Sequence, residues 1–305
     1  MKNKTKKRLL RALIAVFAAI FLFSGGMLVK EWIIEPRQSD AVVDQYRERY
    51  SPTSDVVPPA GESVLPEFQP LQQENDRIVG WLTVPGTNLD HPVAAASADD
   101  PNYYLTHAIN GETSKYGSLF LSTDSVLDPQ SQVLVVHGHN MEYAEHMMFG
   151  QLNAFKSLDF LKEHPTFTFD TIKHKGTWKI IAVCHANAEN MAEFPYTVTN
   201  YASDADWKAF LRQVRERSLY RIRDDAAPGD PLLVLSTCNY LFYGDRLVIV
   251  ARRLRAGESA EVDTSAYEDN RVTRWPERYY SLSYAAPRPS ESDIAEDYAR
   301  YYDAD

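Results

Sequence analysis

The chain has 305 residues, of which 44% are hydrophobic, and it contains 13 Gly, 17 Pro and 2 Cys with a formal net charge of −10. This composition is ordinary for a globular protein and excludes a wholly disordered chain, a collagen-like repeat and a small disulfide-stapled protein. The charge is uneven. Residues 1–29 hold six Lys or Arg and no acid, so the remaining residues hold 26 basic and 42 acidic groups. Nucleic-acid binders usually carry positive charge on their folded part, so no nucleic-acid partner is expected.

The first segment predicts a membrane anchor. Residues 12–29 contain no charged side chain, and as a helix they would span about 27 Å, close to the thickness of the bilayer hydrocarbon. The basic segment 1–11 precedes this run, which predicts a cytoplasmic N-terminus, a single pass through the cell membrane and an extracellular remainder. A cleaved signal peptide is the alternative, because Ser24, Gly25 and Gly26 are small enough for a cleavage site.

Residues 30–70 predict a juxtamembrane helix broken at Pro36, followed by an extended spacer, because residues 51–70 contain five prolines. A short helix is then predicted from Leu71 to Gly80. Short strands separated by turns follow, which is typical of a mainly β barrel or sandwich with a few helices. The predicted strands are residues 81–84, 117–121, 132–136, 166–169, 179–184, 232–238 and 246–251.

Two helices are predicted among these strands. Ser203 has the pattern of an N-cap, and apolar residues then recur at helical spacing, namely Trp207, Phe210, Leu211 and Val214. A second helix is predicted over residues 148–163, ending before Pro165. Residues 256–305 contain 12 acids and 5 Arg with little periodicity, and predict a mostly flexible acidic tail with a short final helix.

The two cysteines stand in different contexts. Cys184 ends an apolar run and is typical of a small core residue. Cys238 lies where an apolar strand gives way to a polar loop, a position that holds a nucleophile rigidly and leaves it accessible. The residues alone leave open a disulfide between the two thiols as the alternative.

A thiol nucleophile requires a base or a cation nearby. His139 follows another apolar strand, and Arg246 begins the strand after Cys238, so pairing of the flanking strands would bring the guanidinium beside the thiol. Arg246 would there stabilise a developing oxyanion. His137 and His139 share a strand face, which keeps a metal site open as a lesser alternative. No cofactor is implied.

Taken together, these segments resemble the sortases, the membrane-anchored cysteine transpeptidases of Gram-positive bacteria. The order of the three residues, His then Cys then Arg, is that of the family, whereas a papain-like protease has its Cys first. Residues 78–93 and the helix at 203–219 resemble class B in particular, and the likeness covers roughly residues 71–254. The matching motifs are Gly138-His139-Asn140-Met141, Met148-Phe149-Gly150-Gln151-Leu152, Leu235-Ser236-Thr237-Cys238 and Asp245-Arg246-Leu247-Val248.

The resemblance implies a closed sortase-type β-barrel over residues 71–255, with Cys238 as nucleophile, His139 as acid/base and Arg246 on the oxyanion. Its implied substrates are surface proteins or pilins that bear a C-terminal sorting signal, and its implied acceptor is an amine of a peptidoglycan precursor or a pilin. Three departures from the class are Asn239 after the cysteine, the length of the tail, and His137, which stands where class B members often carry an aromatic residue.

Two other functions remain compatible with the same residues. A hydrolytic cysteine peptidase of the envelope would share the three side chains but release its product to water. A non-enzymatic surface assembly module would carry them without catalysis.

Overall fold

The computed structural model describes residues 2–50, 64–142, 144 and 146–303, and the chain forms two compact units, residues 1–45 and 46–305. Helix α1 (Lys2–Val29) continues through a π-helical turn (Lys30–Ile34) into α2 (Glu35–Arg47). Pro36 therefore does not break the helix, and this prediction was wrong. Pro36 lies in the first turn of α2, directly after the π turn, where the hydrogen-bond pattern is already changed and its missing N–H is tolerated.

One helix in the described part of the chain, Thr5–Arg47, is long and apolar enough to cross a membrane by length and composition. Large apolar side chains of α1, such as Phe17, Phe21 and Phe23, are exposed in the absence of a lipid phase. A helix that is apolar on all sides is stable in water only when it is covered, and a bilayer supplies that cover.

The second unit is built around eight strands. They pair in the order β1-β2-β3-β4-β8-β9-β6-β5, and β5 pairs back with β1, which closes the sheet into a barrel. The mainly β fold is as predicted, and β2 is an additional strand. The strands are β1 (Ile78–Thr83), β2 (Asp90–Ala95), β3 (Leu119–Leu121), β4 (Val133–His137), β5 (Thr166–Thr171), β6 (Thr177–Asn187), β8 (Leu232–Cys238) and β9 (Asp245–Arg253). The short strands β7 (Tyr220–Arg221) and β10 (Glu268–Asp269) form a separate pair.

Two of the predicted helices have different bounds. A 3₁₀ turn (Pro66–Phe68) leads into α3 (Gln69–Glu74), which ends before Asn75, whose extended backbone and side-chain bond to the Arg77 N–H stop the helix. Gly80 instead lies within β1. The segment 148–163 divides into a 3₁₀ helix (Met148–Lys156) and α4 (Leu158–Glu163), because Ser157 caps the second helix. Residues 51–63 of the predicted spacer lie outside the described residues.

The core has two parts on opposite faces of the sheet. Leu233 and Leu235 of β8 point into the barrel, while Leu232 and Val234 pack outward under α5 (Asp204–Arg217). Strands buried on both faces read as continuous apolar runs, which is why β8 was easy to predict. The α5 stripe packs against the sheet as predicted, and Ser203 accepts the Asp206 N–H as its N-cap.

The C-terminal segment is packed onto the barrel, so the prediction of a mostly flexible tail was wrong. Tyr267 joins the barrel core, and Tyr279 is buried. Helix α6 (Glu291–Tyr302) begins with a capping box at Ser290 and buries Ile294 and Tyr298. Single tyrosines that pack between folded elements produce no helical or strand periodicity in the sequence. The packing of this segment on the barrel was therefore not predicted.

Candidate active site

Strand pairing places Cys238 beside Arg246. β8 ends at Cys238, β9 begins one residue before Arg246, and the antiparallel register makes these two residues direct partners. Side chains of direct partners in an antiparallel pair lie on the same face, with Cβ atoms about 4.5–5.5 Å apart. The apolar residues 232–235 are fully buried and hold the end of the strand rigidly. The sequence expectation that these strands pair across their loop is thus met.

His139 reaches the same end of the sheet through β4, which runs parallel to β8 with His137 opposite Ser236. Gly138 connects His137 to His139. Its carbonyl accepts a hydrogen bond from Thr237 Oγ1 at 2.8 Å. A Cβ on Gly138 would lie 2.4 Å from Leu119 Cδ2 and 2.9 Å from the Phe149 ring, so a larger residue would require these buried side chains or the turn itself to shift. Glycine here allows His139 to follow directly on the strand.

The ring of His139 is oriented by a backbone carbonyl. Its Nε2 lies 2.7 Å from the oxygen of Leu105. A carbonyl only accepts hydrogen bonds, so Nε2 carries a proton in this arrangement, and Nδ1 is the free acceptor of a neutral ring.

All three predicted side chains line one cavity of about 440 Å³. Three other segments contribute to its walls. Pro101, Asn102 and Leu105 come from the loop after β2, and Ala188, Tyr196 and Thr197 come from the β6–α5 loop. The third segment is β3 with the turn that follows it, which contributes Phe120, Ser122, Thr123 and Asp124.

Arg246 supplies positive charge to the cavity, which Asp124 also lines, whereas the second histidine of the cavity, His137, is held neutral. Burial, and then the nearby Arg246 guanidinium, lower the pKa of His137 to about 4. Burial likewise raises the pKa of Tyr196, whose hydroxyl lies 3.1 Å from Ser236 Oγ. Both side chains are therefore neutral at pH 7, which leaves the guanidinium to face any negative charge that develops.

Asn140 and Tyr240 join the loops that carry His139 and Cys238. Asn140 Nδ2 donates to the Cys238 carbonyl at 2.9 Å, and the Tyr240 hydroxyl donates to the Asn140 carbonyl at 2.5 Å. Asn140 belongs to one of the motifs that carry the family resemblance, whereas Tyr240 was not predicted to be part of the site. Asparagine directly after a strand-end histidine is equally typical of a turn, so only the structure distinguishes the two roles.

The loop between Cys238 and Arg246 is anchored on a buried carboxylate. Asp245 is fully buried and accepts hydrogen bonds from the side chain of Asn239 and from the Leu241 N–H. His185 Nδ1 lies 2.9 Å from Asp245 Oδ1. Gly244, at φ +85°, makes the tight turn before Asp245 that other residues would strain to adopt. The loop is thus fixed at both ends.

The two thiols are free, so the disulfide alternative is wrong. Cys184 is fully buried, its Sγ lies 3.5 Å from the Val214 carbonyl, and burial raises its thiol pKa to about 12. Cys238 is half-buried and lines the cavity. Over residues 2–50, 64–142, 144 and 146–303, no group of three or more His, Cys, Asp or Glu is arranged to hold a metal ion.

Comparison with known proteins identifies the family. The model of the sortase domain matches residues 82–254. The chain belongs to the sortase family. It is 30% identical to sortase B of Listeria monocytogenes over 77% of this chain and 92% of that protein, and 24% identical to sortase B of Staphylococcus aureus over 82% and 98%. The class B resemblance is confirmed.

Solved structures agree with the sequence comparison. The crystal structure of sortase B from Bacillus anthracis superimposes with a TM-score of 0.63 at 26% identity, covering 73% of this chain and 99% of that one. This sortase B fold is nearly fully represented in the present chain, whereas about a quarter of the present chain has no counterpart in it.

Proposed function

We propose that this sortase is a cysteine transpeptidase that uses Cys238 as nucleophile, His139 as general acid and base, and Arg246 as the cation for the oxyanion. The pairing of Cys238 with Arg246 in the β8–β9 register, at a cavity that His139 also lines, is the observation that carries the proposal. A nucleophile, a base and a preorganised cation at one cavity are the parts that acyl transfer requires.

The first half of the reaction forms a thioester. The Cys238 thiol passes its proton to Nδ1 of His139, and the resulting thiolate attacks the backbone carbonyl carbon of a threonine in the sorting signal. Negative charge then develops on the carbonyl oxygen beside Arg246. Collapse of this intermediate breaks the C–N bond, and His139 gives its proton to the departing amine. The acyl group is then held on Sγ as a thioester.

The second half transfers the acyl group to an amine. The acceptor nitrogen attacks the thioester carbon, His139 takes a proton from the nitrogen, and the C–S bond breaks to regenerate the thiolate. The neutral His139 ring, with its Nε2 proton donated to Leu105, presents Nδ1 for this proton. Acceptors of the proposed kind are amines of a peptidoglycan precursor or of a pilin.

The N-terminal helix supports a proposal for the cellular setting. The apolar span within Thr5–Arg47 would anchor the protein in the cell membrane, with the basic residues 1–11 in the cytoplasm and residues 46–305 outside. This orientation places the cavity where surface proteins or pilins with sorting signals emerge.

The central test compares Cys238→Ala with Cys184→Ala. We expect Cys238→Ala to abolish cleavage of sorting-signal peptides, and Cys184→Ala to keep wild-type turnover because its thiol faces α5 rather than the cavity. Products are identified by mass spectrometry with and without an added amine. An amide product only when amine is present supports transpeptidation, and release of the free acid in both conditions indicates a peptidase. Full activity of Cys238→Ala contradicts the assignment.

A further inference from the structure

Residues 256–303, here called the C-terminal extension, lie beyond the match to the sortase domain, which ends at residue 254. We infer that this extension is a positioning element of the active site, which braces both the β8–β9 loop after Cys238 and the β6–α5 loop that borders the cavity. The inference rests on the proposed function for its kinetic consequences, but its structural part is testable by itself.

The first brace runs through Trp275. Its ring packs on the ring of His185 with centroids 5.0 Å apart. His185 in turn bonds to the Asp245 carboxylate, which holds Asn239 and the Leu241 N–H. Trp275 is therefore two contacts away from the loop that joins the proposed nucleophile to the proposed oxyanion cation. A Trp ring packed against His185 at an interplanar angle of 33° restricts the imidazole to the orientation that meets Asp245.

The second brace runs through Glu193 of the β6–α5 loop. The N–H of Glu277 in the extension donates to Glu193 Oε1 at 2.9 Å, and Arg217 of α5 donates to the Glu193 carbonyl at 2.8 Å. Three residues later the same loop presents Tyr196 to the cavity. The extension thus fixes the stem of the segment from which Tyr196 and Thr197 project.

A third contact comes from Tyr284. Its hydroxyl donates to the carbonyl of Leu241, in the middle of the β8–β9 loop, at 3.1 Å. Both backbone groups of Leu241 are therefore bonded. The Leu241 N–H donates to the Asp245 carboxylate, and the Leu241 carbonyl accepts from the extension. A loop with both backbone groups of one residue bonded loses much of its freedom to move.

The extension can act as a brace because it is itself tied down on α5 and β7. Arg274 bonds Glu216 of α5 at 3.0 Å and Glu291 of α6 at 2.6 Å. Strand β10 pairs with β7, and Arg221 of β7 forms an ion pair with Asp297. The contacts to the two loops therefore come from a segment with fixed attachments on both sides.

The test compares Trp275→Ala with Trp275→Phe and Tyr302→Ala in the full chain. We expect Trp275→Ala to lower kcat for a sorting-signal peptide about tenfold, because small displacements of reacting groups are costly, with a smaller change in KM. Trp275→Phe, which keeps a ring against His185, should restore most of kcat. Tyr302→Ala removes an aromatic contact of the same segment to α5, which contributes no residue to the cavity, and should lower Tm while leaving kcat within about twofold.

Hydrogen exchange of the amides of residues 239–244 provides a readout that needs no substrate. Trp275→Ala should speed their exchange more than Tyr302→Ala does. Equal kcat losses in the two alanine variants, or wild-type kcat and exchange in Trp275→Ala, would overturn the inference. If the wild-type protein turns over no peptide, the proposed function fails, and the exchange rates alone decide whether the extension braces the loop.

Discussion

Burial keeps at least two histidines of the barrel unprotonated at neutral pH. Burial lowers the pKa of His91 in β2 to about 4, with Arg47 adding to the effect, and lowers that of His137 to the same value. Both side chains have an ordinary pKa of about 6.5 in an unfolded chain. Between these two values the unfolded chain binds protons that the folded protein does not.

This difference predicts an acid-sensitive fold. The free energy of unfolding should fall as the pH is lowered from about 6.5 towards 4, by up to about 1.4 kcal/mol per pH unit for each of the two histidines. Denaturant unfolding measured at several pH values between 5 and 7 gives this slope. In His91→Gln the free energy of unfolding should depend less steeply on pH, because only His137 of the two histidines then contributes to the slope. A variant slope equal to that of the wild type would show that His91 is not held neutral by the fold.

At the level of secondary-structure elements, strands buried on both faces were predictable from the sequence, and exceptions arose where local chemistry competes with periodicity. Runs such as 232–238 became β8 with its full length, because both faces are covered. In contrast, the pattern of residues 148–163 predicted a single helix. The structure has two helices in this segment, because the side chain of Ser157 caps the start of the second one. Caps and turns depend on one or two hydrogen bonds, which a hydrophobic pattern does not register.

The site was predictable to the extent that it lies at strand ends. His139, Cys238 and Arg246 each follow or begin an apolar run, so their convergence follows from the pairing of those runs. Asn140 and the Asp245 network were not predictable, because their partners are backbone groups and a distant strand. Non-local hydrogen bonds leave no spacing in the sequence.

The link between the β4 and β8 loops predicts a catalytic effect for Asn140. In Asn140→Ala the Cys238 carbonyl loses its partner, and a bond worth about 1 kcal/mol corresponds to roughly fivefold in rate if it is needed to hold the nucleophile. Steady-state kinetics with a sorting-signal peptide should therefore show kcat/KM reduced by about that factor.

Asn200→Ala is the matched control for this change. The Asn200 side chain accepts the Gln132 N–H at 3.1 Å, just before β4 begins, and it lines no part of the cavity. Asn200→Ala should lower Tm slightly and leave kcat/KM unchanged. A similar loss of kcat/KM in both variants would assign the Asn140 effect to general destabilisation of β4.

The whole molecule combines a membrane-compatible helix, a sortase barrel and an extension that lies beyond the match to the sortase domain. The barrel and extension form one compact unit, residues 46–305, which contains both core clusters. The uneven charge of the sequence divides in the same way, since the basic cluster falls in the first unit and the acidic excess in the second. The acids of the extension are not a separate tail: Glu291 and Asp297 pair with arginines of the packed segment and of β7.

This division predicts that attachment to the membrane and the chemistry are separable. The full chain should sediment with membranes and stay there in high salt, which screens ionic attachment but not apolar insertion, and only detergent should release it. A chain that begins at Tyr46 should be soluble, with the Tm of the detergent-released protein and the same kcat on a soluble peptide. Release of the full chain by salt alone would contradict an inserted anchor. A shorter chain that is soluble but has lost its cooperative unfolding would show that residues 1–45 are needed for folding of the barrel.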